Sequence, residues 1–255
     1  MNMNAIRRVL PFTKVLLTVG FLVVACNVAS ANVILTVDCS TVLGPTELGT
    51  ATPGVLSCPG FQPGTNGIPV TALLSSITLE IDGGIPVGSL TPAVPNSLIT
   101  ITNNNSASQV VDAYTTVNFQ LPNAAIALPG FSFTTHAPLS YIFQAIGDTG
   151  SQTLPGNSSA SYIVAGSASE TSTDTNASTY ATYEVPSFNF SVDTITAITA
   201  LAGGGQVGVT QVTDGYATAE VTYEYTPTPE PTTLVLLGSA LLGLGFLSSR
   251  RRAAR

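Results

Sequence analysis

The chain has 255 residues, of which 44% are hydrophobic and only 8% are charged, far below the roughly 25% charge usual in soluble domains. Its seven Lys and Arg residues lie at the two ends, and none occurs from Val15 to Ser249. Because phosphate recognition requires cationic side chains, this distribution argues against nucleic-acid binding and nucleotide chemistry. The fourteen acidic residues lie between Asp38 and Glu230. They predict a solvated acidic surface. An all-oxygen cation site is the alternative, but the sequence has no dense Asp/Asn loop, and we predict neither metal nor cofactor.

The N-terminus has the organisation of a secretory signal peptide. Cationic residues precede a short apolar run from Val15 to Ala25. Ala29 and Ala31 then flank a serine in a small-x-small sequence, which is the pattern that signal peptidase cleaves. We therefore predict that residues 1–31 are removed and that the mature chain begins at Asn32.

Three cysteines are present, and two of them remain in any mature form of the chain. Residues 23–26, ending at Cys26, loosely resemble a lipobox, so lipidation of Cys26 is an alternative to ordinary cleavage. Cys39 and Cys58 predict a disulfide, because an exported pair of cysteines meets an oxidising compartment. A metal or redox pair fits neither their spacing nor the remote position of His136, which is the only histidine.

The C-terminal segment combines three features in a fixed order. Pro229-Glu230-Pro231 comes first, an apolar run from Leu234 to Leu247 follows, and Arg250-Arg251-Arg252 closes the segment. The 18 residues 232–249 would span about 27 Å as a helix, close to the ~30 Å thickness of a bilayer's hydrocarbon core. Taken alone, the segment predicts one C-terminal membrane helix with its arginines in the cytoplasm.

This combination of tripeptide, apolar run and arginine cluster resembles a PEP-CTERM sorting signal. The resemblance implies that an exosortase, a membrane-embedded cysteine protease–transferase, reads residues 227–255. It also implies a Gram-negative host that makes exopolysaccharide, with the chain passing through the inner membrane to the cell surface or extracellular matrix. The resemblance concerns sorting and gives no activity to the rest of the chain.

Residues 32–226 read as short strands between turns. Tyr216–Tyr225 is the clearest case, since alanine, valine and tyrosine alternate there with threonine and glutamate. The many short strands and the lack of an amphipathic helix predict an all-β fold, an antiparallel β-sandwich. The other predicted strands are Val33–Val37, Leu73–Ile81, Gln109–Leu121, Tyr141–Ile146, Thr179–Val185, Phe188–Ile198 and Gln206–Val212.

Two features of this region have open alternatives. The Ser/Thr-rich stretch Ser167–Thr179 favours a loop, although an edge strand or a glycosylated segment would have the same composition. Asn104, Asn157 and Asn176 each begin an N-x-S/T sequon, a pattern that arises by chance in a chain so rich in serine and asparagine.

A second resemblance concerns the strands themselves. Residues 61–63 leading into residues 74–81, and Gly203-Gly204-Gly205 followed by residues 217–226, look like the early and final strands of choice-of-anchor E domains. Those exported β-domains end in various anchoring tails. The resemblance therefore implies an exported β-domain, and it carries over no established activity.

Three motifs suggest catalysis, but each has a plainer interpretation. Asp148-Thr149-Gly150-Ser151 resembles the active-site turn of aspartic proteases, yet the sequence has no second Asp-Thr-Gly, so we predict a turn. Gly203-x-Gly205-x-x-Gly208 matches a dinucleotide fingerprint but lies in no βαβ unit, and it predicts a glycine-rich turn. His136 has no nucleophile elbow to serve and is expected in a loop.

The sequence thus predicts a non-enzymatic surface or matrix protein, processed by signal peptidase and exosortase and associated with exopolysaccharide. The alternative is a carbohydrate- or surface-binding β-sandwich module that an ordinary C-terminal membrane anchor holds in place. The absence of Trp counts against a sugar site, and most tyrosines fall in strand patterns.

Overall fold

The computed structural model describes residues 32–45, 54–86, 97–202, 204–227 and 238–244. The predicted signal peptide, with Ala29 and Ala31, lies outside the described residues. So does most of the sorting tail, including the Pro-Glu-Pro tripeptide and the arginine cluster. Within that tail, residues 238–244 are helical. No helix in the described ranges has the length and apolarity needed to cross a membrane.

Strands dominate the described residues, which confirms the predicted all-β class. A four-residue helix, α1 (Ala124–Ala127), and a 3-10 turn at Tyr180–Thr182 interrupt them. The strands are β1 (Val33–Asp38), β2 (Val42–Pro45), β3 (Gly54–Pro59), β4 (Ala72–Ile85), β5 (Leu98–Asn103), β6 (Gln109–Gln120), β7 (Phe143–Leu154), β8 (Ser158–Ile163), β9 (Gly166–Asp174), β10 (Ser187–Ala202), β11 (Val207–Val212) and β12 (Asp214–Pro227).

The strands form three sheets. One has the order β1-β12-β4-β9, with β2 also pairing with β12. The second has the order β3-β10-β6-β7, and the third is β11-β5-β8. The registers within the second and third sheets are antiparallel, as are β4 with β9 and β12 with β2.

The core lies between the first two sheets. In both β6 and β12, alternate residues are buried, as expected for strands with one face on a core. The ring of Phe119 on β6 stacks on Phe143 of β7, with 4.7 Å between the ring centroids. A Cβ atom at Gly83 of β4 would lie 2.5 Å from the Phe119 ring. The first sheet therefore packs directly against the second at this point.

The chain divides into two compact units. One comprises residues 34–62 and 74–224, and it contains most of every sheet. The other comprises residues 1–33, 63–73 and 225–255. Within the second unit, a tight turn joins Gly64 to Ile68 through a 2.9 Å backbone hydrogen bond.

The predicted strand Thr179–Val185 is wrong, because this segment forms the 3-10 turn. Its two tyrosines are three residues apart, and both are buried, which is a helical rather than a strand spacing. Tyr180 donates its hydroxyl hydrogen to the Ser75 carbonyl at 2.5 Å, and Tyr183 donates to the Pro129 carbonyl at 2.6 Å. Asp174 stabilises the preceding bend by accepting a hydrogen bond from the Asn176 N–H at 2.8 Å.

The loop that we predicted from sequence for Ser167–Thr179 is also wrong over most of that segment. Residues 166–174 form β9, which pairs with β4 from Ile85↔Gly166 to Ile77↔Asp174. The edge-strand alternative describes this position, since β9 ends the order of its sheet. Strands β2, β3, β5 and β8 were absent from the sequence prediction. The glycine-rich segment 203–205 does connect two strands, β10 and β11, as predicted.

Candidate sorting site and polar surfaces

The candidate sorting site follows directly on a strand in the interior of its sheet. β12 ends at Pro227, so only Thr228 separates it from Pro229. Alternating alanine, valine and tyrosine residues bury one face of β12. On either side of it in the sheet order lie β1 and β4. The strand that carries the tail is thus paired along both edges.

The predicted mature N-terminus lies beside the end of the same strand. Asn32 and Thr226 are joined by a side-chain hydrogen bond of 3.2 Å, in which the Thr226 hydroxyl donates to Asn32 Oδ1. β1 begins at the next residue, Val33. The predicted cleavage point after Ala31 therefore falls immediately before the first strand, and a cut there would remove no residue of a described strand.

Comparison with known protein families identifies the tail. Residues 227–252 match the model of the PEP-CTERM protein-sorting motif. The chain carries a PEP-CTERM motif. The matched segment contains all the tail residues predicted from sequence: Pro229, Glu230, Pro231, Leu234, Leu247, Arg250, Arg251 and Arg252. The PEP-CTERM match supports export and sorting by an exosortase.

Two other comparisons concern the chain as a whole. No curated protein matches the chain. A structure of infectious bursal disease virus, Gx strain, is similar at 12% identity and a TM-score of 0.15, over 89% of this chain and 52% of that one. The chain thus spans about half of that relative's length. A mud crab tombus-like virus structure gives 14% identity and a TM-score of 0.19, over 82% and 86% of the two chains.

The structure contains the predicted disulfide between Cys39 and Cys58, which are 19 residues apart in sequence. Cys58 lies on β3 and is fully buried, and Cys39 directly follows β1. The Cys39 N–H donates to the Ala219 carbonyl of β12 at 2.8 Å, and the Ser40 N–H donates to the Ser57 carbonyl at the same distance. The disulfide therefore links the segment after β1, which is hydrogen-bonded to β12, to a strand of the second sheet.

Two carboxyl groups lie in surroundings that disfavour their charge. Burial raises the pKa of Asp193 on β10 and that of Asp214 at the start of β12. One oxygen of each carboxyl group is buried without a hydrogen-bond partner. No Lys or Arg occurs in the described ranges to offset either charge. Ionisation of these groups therefore opposes folding.

We expect Asp193→Asn to stabilise the fold at neutral pH. The pKa of this carboxyl group is raised in the folded state relative to the unfolded value of about 3.9. Its contribution to the free energy of unfolding is therefore fully present below about pH 3.9, and it is lost as the pH rises through the folded-state pKa. The variant's free energy of unfolding should therefore exceed that of the wild type by more at pH 7 than at pH 4. Urea denaturation of the purified chain at both pH values measures the difference.

The exposed Glu220→Gln provides the control, because it removes the same charge from an open position on β12. If Asp193→Asn were no more stabilising than this control, burial of the Asp193 carboxyl would be without consequence for folding.

The segment Asp148-Thr149-Gly150-Ser151 is not the predicted turn between strands, because it lies inside β7. It forms a bulge there: Thr149 and Gly150 together oppose the single residue Ala113 of β6, between the pairs Asp112↔Ser151 and Tyr114↔Asp148. Gly150 adopts a left-handed φ of 62°, which glycine permits without strain.

The bulge brings together two carboxylates that sequence analysis did not connect. The pairs Asp112↔Ser151 and Tyr114↔Asp148 place the two carboxyl groups on the same face of neighbouring strands. Loss of hydration raises the pKa of Asp112, and the neighbouring Asp148 carboxyl group raises it further. Asp112 belongs to no Asp-Thr-Gly sequence, so no motif pointed to it; only the register of β6 against β7 reveals the pair.

The remaining candidate, His136, forms an isolated bridge with Tyr141. The backbone N–H of His136 donates to the backbone carbonyl of Tyr141 at 2.8 Å. The two side-chain rings stack with 5.2 Å between their centroids. Across the described ranges, no group of three or more His, Cys, Asp or Glu side chains is arranged to hold a metal ion.

Proposed function

We propose that this chain is a non-enzymatic structural protein that an exosortase delivers to the surface or extracellular matrix of a Gram-negative bacterium. The observation that carries the proposal is the PEP-CTERM match at residues 227–252, which begins at the last residue of β12. Signal peptidase would cut after Ala31. The apolar run from Leu234 to Leu247 would hold the precursor in the inner membrane until the exosortase cuts the tail.

Two features of the β-domain support such a role. A disulfide crosslinks it, and export to an oxidising compartment is where this bond would form. Its two larger sheets pack through Gly83 and Phe119, as in a β-sandwich. The resemblance of its strands to choice-of-anchor E domains is consistent with an exported module whose means of attachment is supplied by the tail.

We also propose that the exposed protein associates with exopolysaccharide. With no Lys or Arg from Val15 to Ser249, the domain would repel acidic polymers and tolerate neutral or basic ones. The rival function is a carbohydrate-binding module that keeps an ordinary membrane anchor. The two differ in what happens to the tail after export.

Mass spectrometry of the surface pool distinguishes them. We expect the mature chain to begin at Asn32 and to lack residues beyond the Pro-Glu-Pro tripeptide, with an uncut form in the inner membrane of an exosortase deletion strain. Peptides reaching Arg250 in the surface pool would contradict sorting and favour a permanent anchor. A lipidated Cys26 at the N-terminus would contradict cleavage after Ala31.

A further inference from the structure

The second sheet has an open outer face centred on β6. Side chains that point away from the core there form three cross-strand rows, each running from β10 across β6 to β7. We call these nine residues the β6 face. None of them is buried, unlike the residues between them on β6. The rows are Ala197–Thr116–Ile146, Thr199–Tyr114–Asp148 and Leu201–Asp112–Ser151.

The β6 face combines an aromatic ring, apolar edges and carboxylates. Tyr114 occupies the central position and is partly exposed. Ile146 and Leu201, at opposite corners, are 50% and 60% exposed. The bulge in β7 places Asp148 opposite Tyr114 and next to Asp112. A flat ring with apolar neighbours suits the C–H face of a sugar, since tyrosine offers an apolar body with a polar tip.

The charge on the β6 face selects among sugars. Two adjacent carboxylates repel each other when both are ionised, and no described Lys or Arg compensates for them. A cation that pairs with both would relieve the repulsion, and hydrogen bonds between ionised groups are about twice as strong as neutral ones. An ammonium group on the ligand supplies this cation and can also bind over an aromatic face. An acidic polymer would be repelled.

We propose that the β6 face binds a polysaccharide that carries free amino groups, with sugar rings on Tyr114 and an ammonium group between Asp112 and Asp148. The inference rests on the proposed surface location, because it specifies which polymer the exported domain would meet there. The occupant follows from charge complementarity: the face is anionic and aromatic, and residues 32–226 contain no Lys or Arg.

The experiment is calorimetric titration of the purified full-length chain in mild detergent, with a glucosamine hexamer as the probe. We expect binding that weakens as salt is added, because the attraction between exposed charges is screened. An N-acetylglucosamine hexamer, which lacks the ammonium groups, should bind at least about tenfold more weakly, as expected for the loss of a charged hydrogen bond.

Matched variants locate the site. Asp148→Asn keeps an oxygen for the 2.8 Å hydrogen bond from the Gly150 N–H but removes the charge, and it should weaken hexamer binding at least about tenfold. Glu220→Gln removes one charge from β12 of the other sheet and should change binding less than about twofold. Tyr114→Ala should weaken binding, whereas Tyr114→Phe, which keeps the ring, should not. Unchanged thermal midpoints would show that the variants fold.

Three results would overturn the proposal. The first is that the wild type does not bind the glucosamine hexamer. The second is that Glu220→Gln weakens hexamer binding as much as Asp148→Asn does. The third is that oligolysine binds as tightly as the hexamer and that its binding does not depend on Tyr114. Terminus mapping of the Asp148→Asn chain separates this failure from failure of the sorting proposal, because a variant that is still trimmed normally has lost only the glycan site.

Discussion

A chain in which Pro229, Glu230 and Pro231 are all replaced with alanine should accumulate uncut in the inner membrane. Two prolines remove backbone N–H donors and disfavour helical geometry before them, which predicts an extended tripeptide outside the predicted membrane helix. Alanine has the highest helix propensity, so the substitution would favour helix through the tripeptide. We propose that the exosortase needs the extended segment, and we therefore expect almost no processed protein.

Fractionation followed by mass spectrometry of the C-terminal peptides measures the outcome. Replacing Thr232 and Thr233 with alanine is the matched control, because it changes the residues between the tripeptide and the apolar run and should leave processing intact. Normal trimming of the triple variant would show that the tripeptide does not direct the cut. Retention of the control variant in the membrane would show that the effect lacks specificity.

The second large effect is expected from Cys58→Ser in the mature chain. Losing the crosslink between residues 19 apart should lower the free energy of unfolding by about 3 kcal/mol. The fully buried position would in addition receive a polar hydroxyl. For a domain of this size, 3 kcal/mol corresponds to a fall of about 6–12 °C in the thermal midpoint.

Cys26→Ser serves as the control, because Cys26 precedes the predicted cleavage point and should be absent from the mature chain. Its thermal midpoint should equal that of the wild type. Labelling of both Cys39 and Cys58 by a thiol reagent in the denatured, unreduced wild type would contradict the disulfide. Equal stability of Cys58→Ser and the wild type would show that the crosslink contributes nothing to folding.

Sequence alternation predicted several strands that have one clearly apolar face, although it missed β5, whose Ile99 and Ile101 are fully buried. In β12, alanine, valine and tyrosine occupy the buried positions, and β6 and β10 follow a similar pattern. β8 was missed and β9 was favoured as a loop because serine and threonine make up half or more of each segment. Their pairing depends on partners remote in sequence: the Thr100 and Ser161 hydroxyls are 2.8 Å apart across β5 and β8. Nothing within either segment reveals that contact.

The two candidate sites also differ in whether their residues are contiguous in sequence. The sorting tail is local, since its tripeptide, apolar run and arginines are contiguous, and the sequence was sufficient to identify it. The Asp112–Asp148 pair is not local. It exists because β6 and β7 pair in one register and because a bulge at Thr149 and Gly150 shifts that register beyond Asp148. A sequence prediction that treats residues 148–151 as a turn loses both the bulge and the pair.

The position of β12 has a mechanical consequence for a protein fixed to a surface by its C-terminal end. Only Thr228 separates this strand from the Pro-Glu-Pro tripeptide in the sequence, so a pull at the tripeptide would be transmitted to β12 through one intervening residue. Force would pass along the axis of β12, which has neighbours on both edges. Hydrogen bonds perpendicular to a strand resist such a pull together, as a set in shear, whereas a terminal edge hairpin would open one bond at a time. If the proposed C-terminal attachment holds, the element that carries the load would be a strand paired on both edges rather than an edge strand.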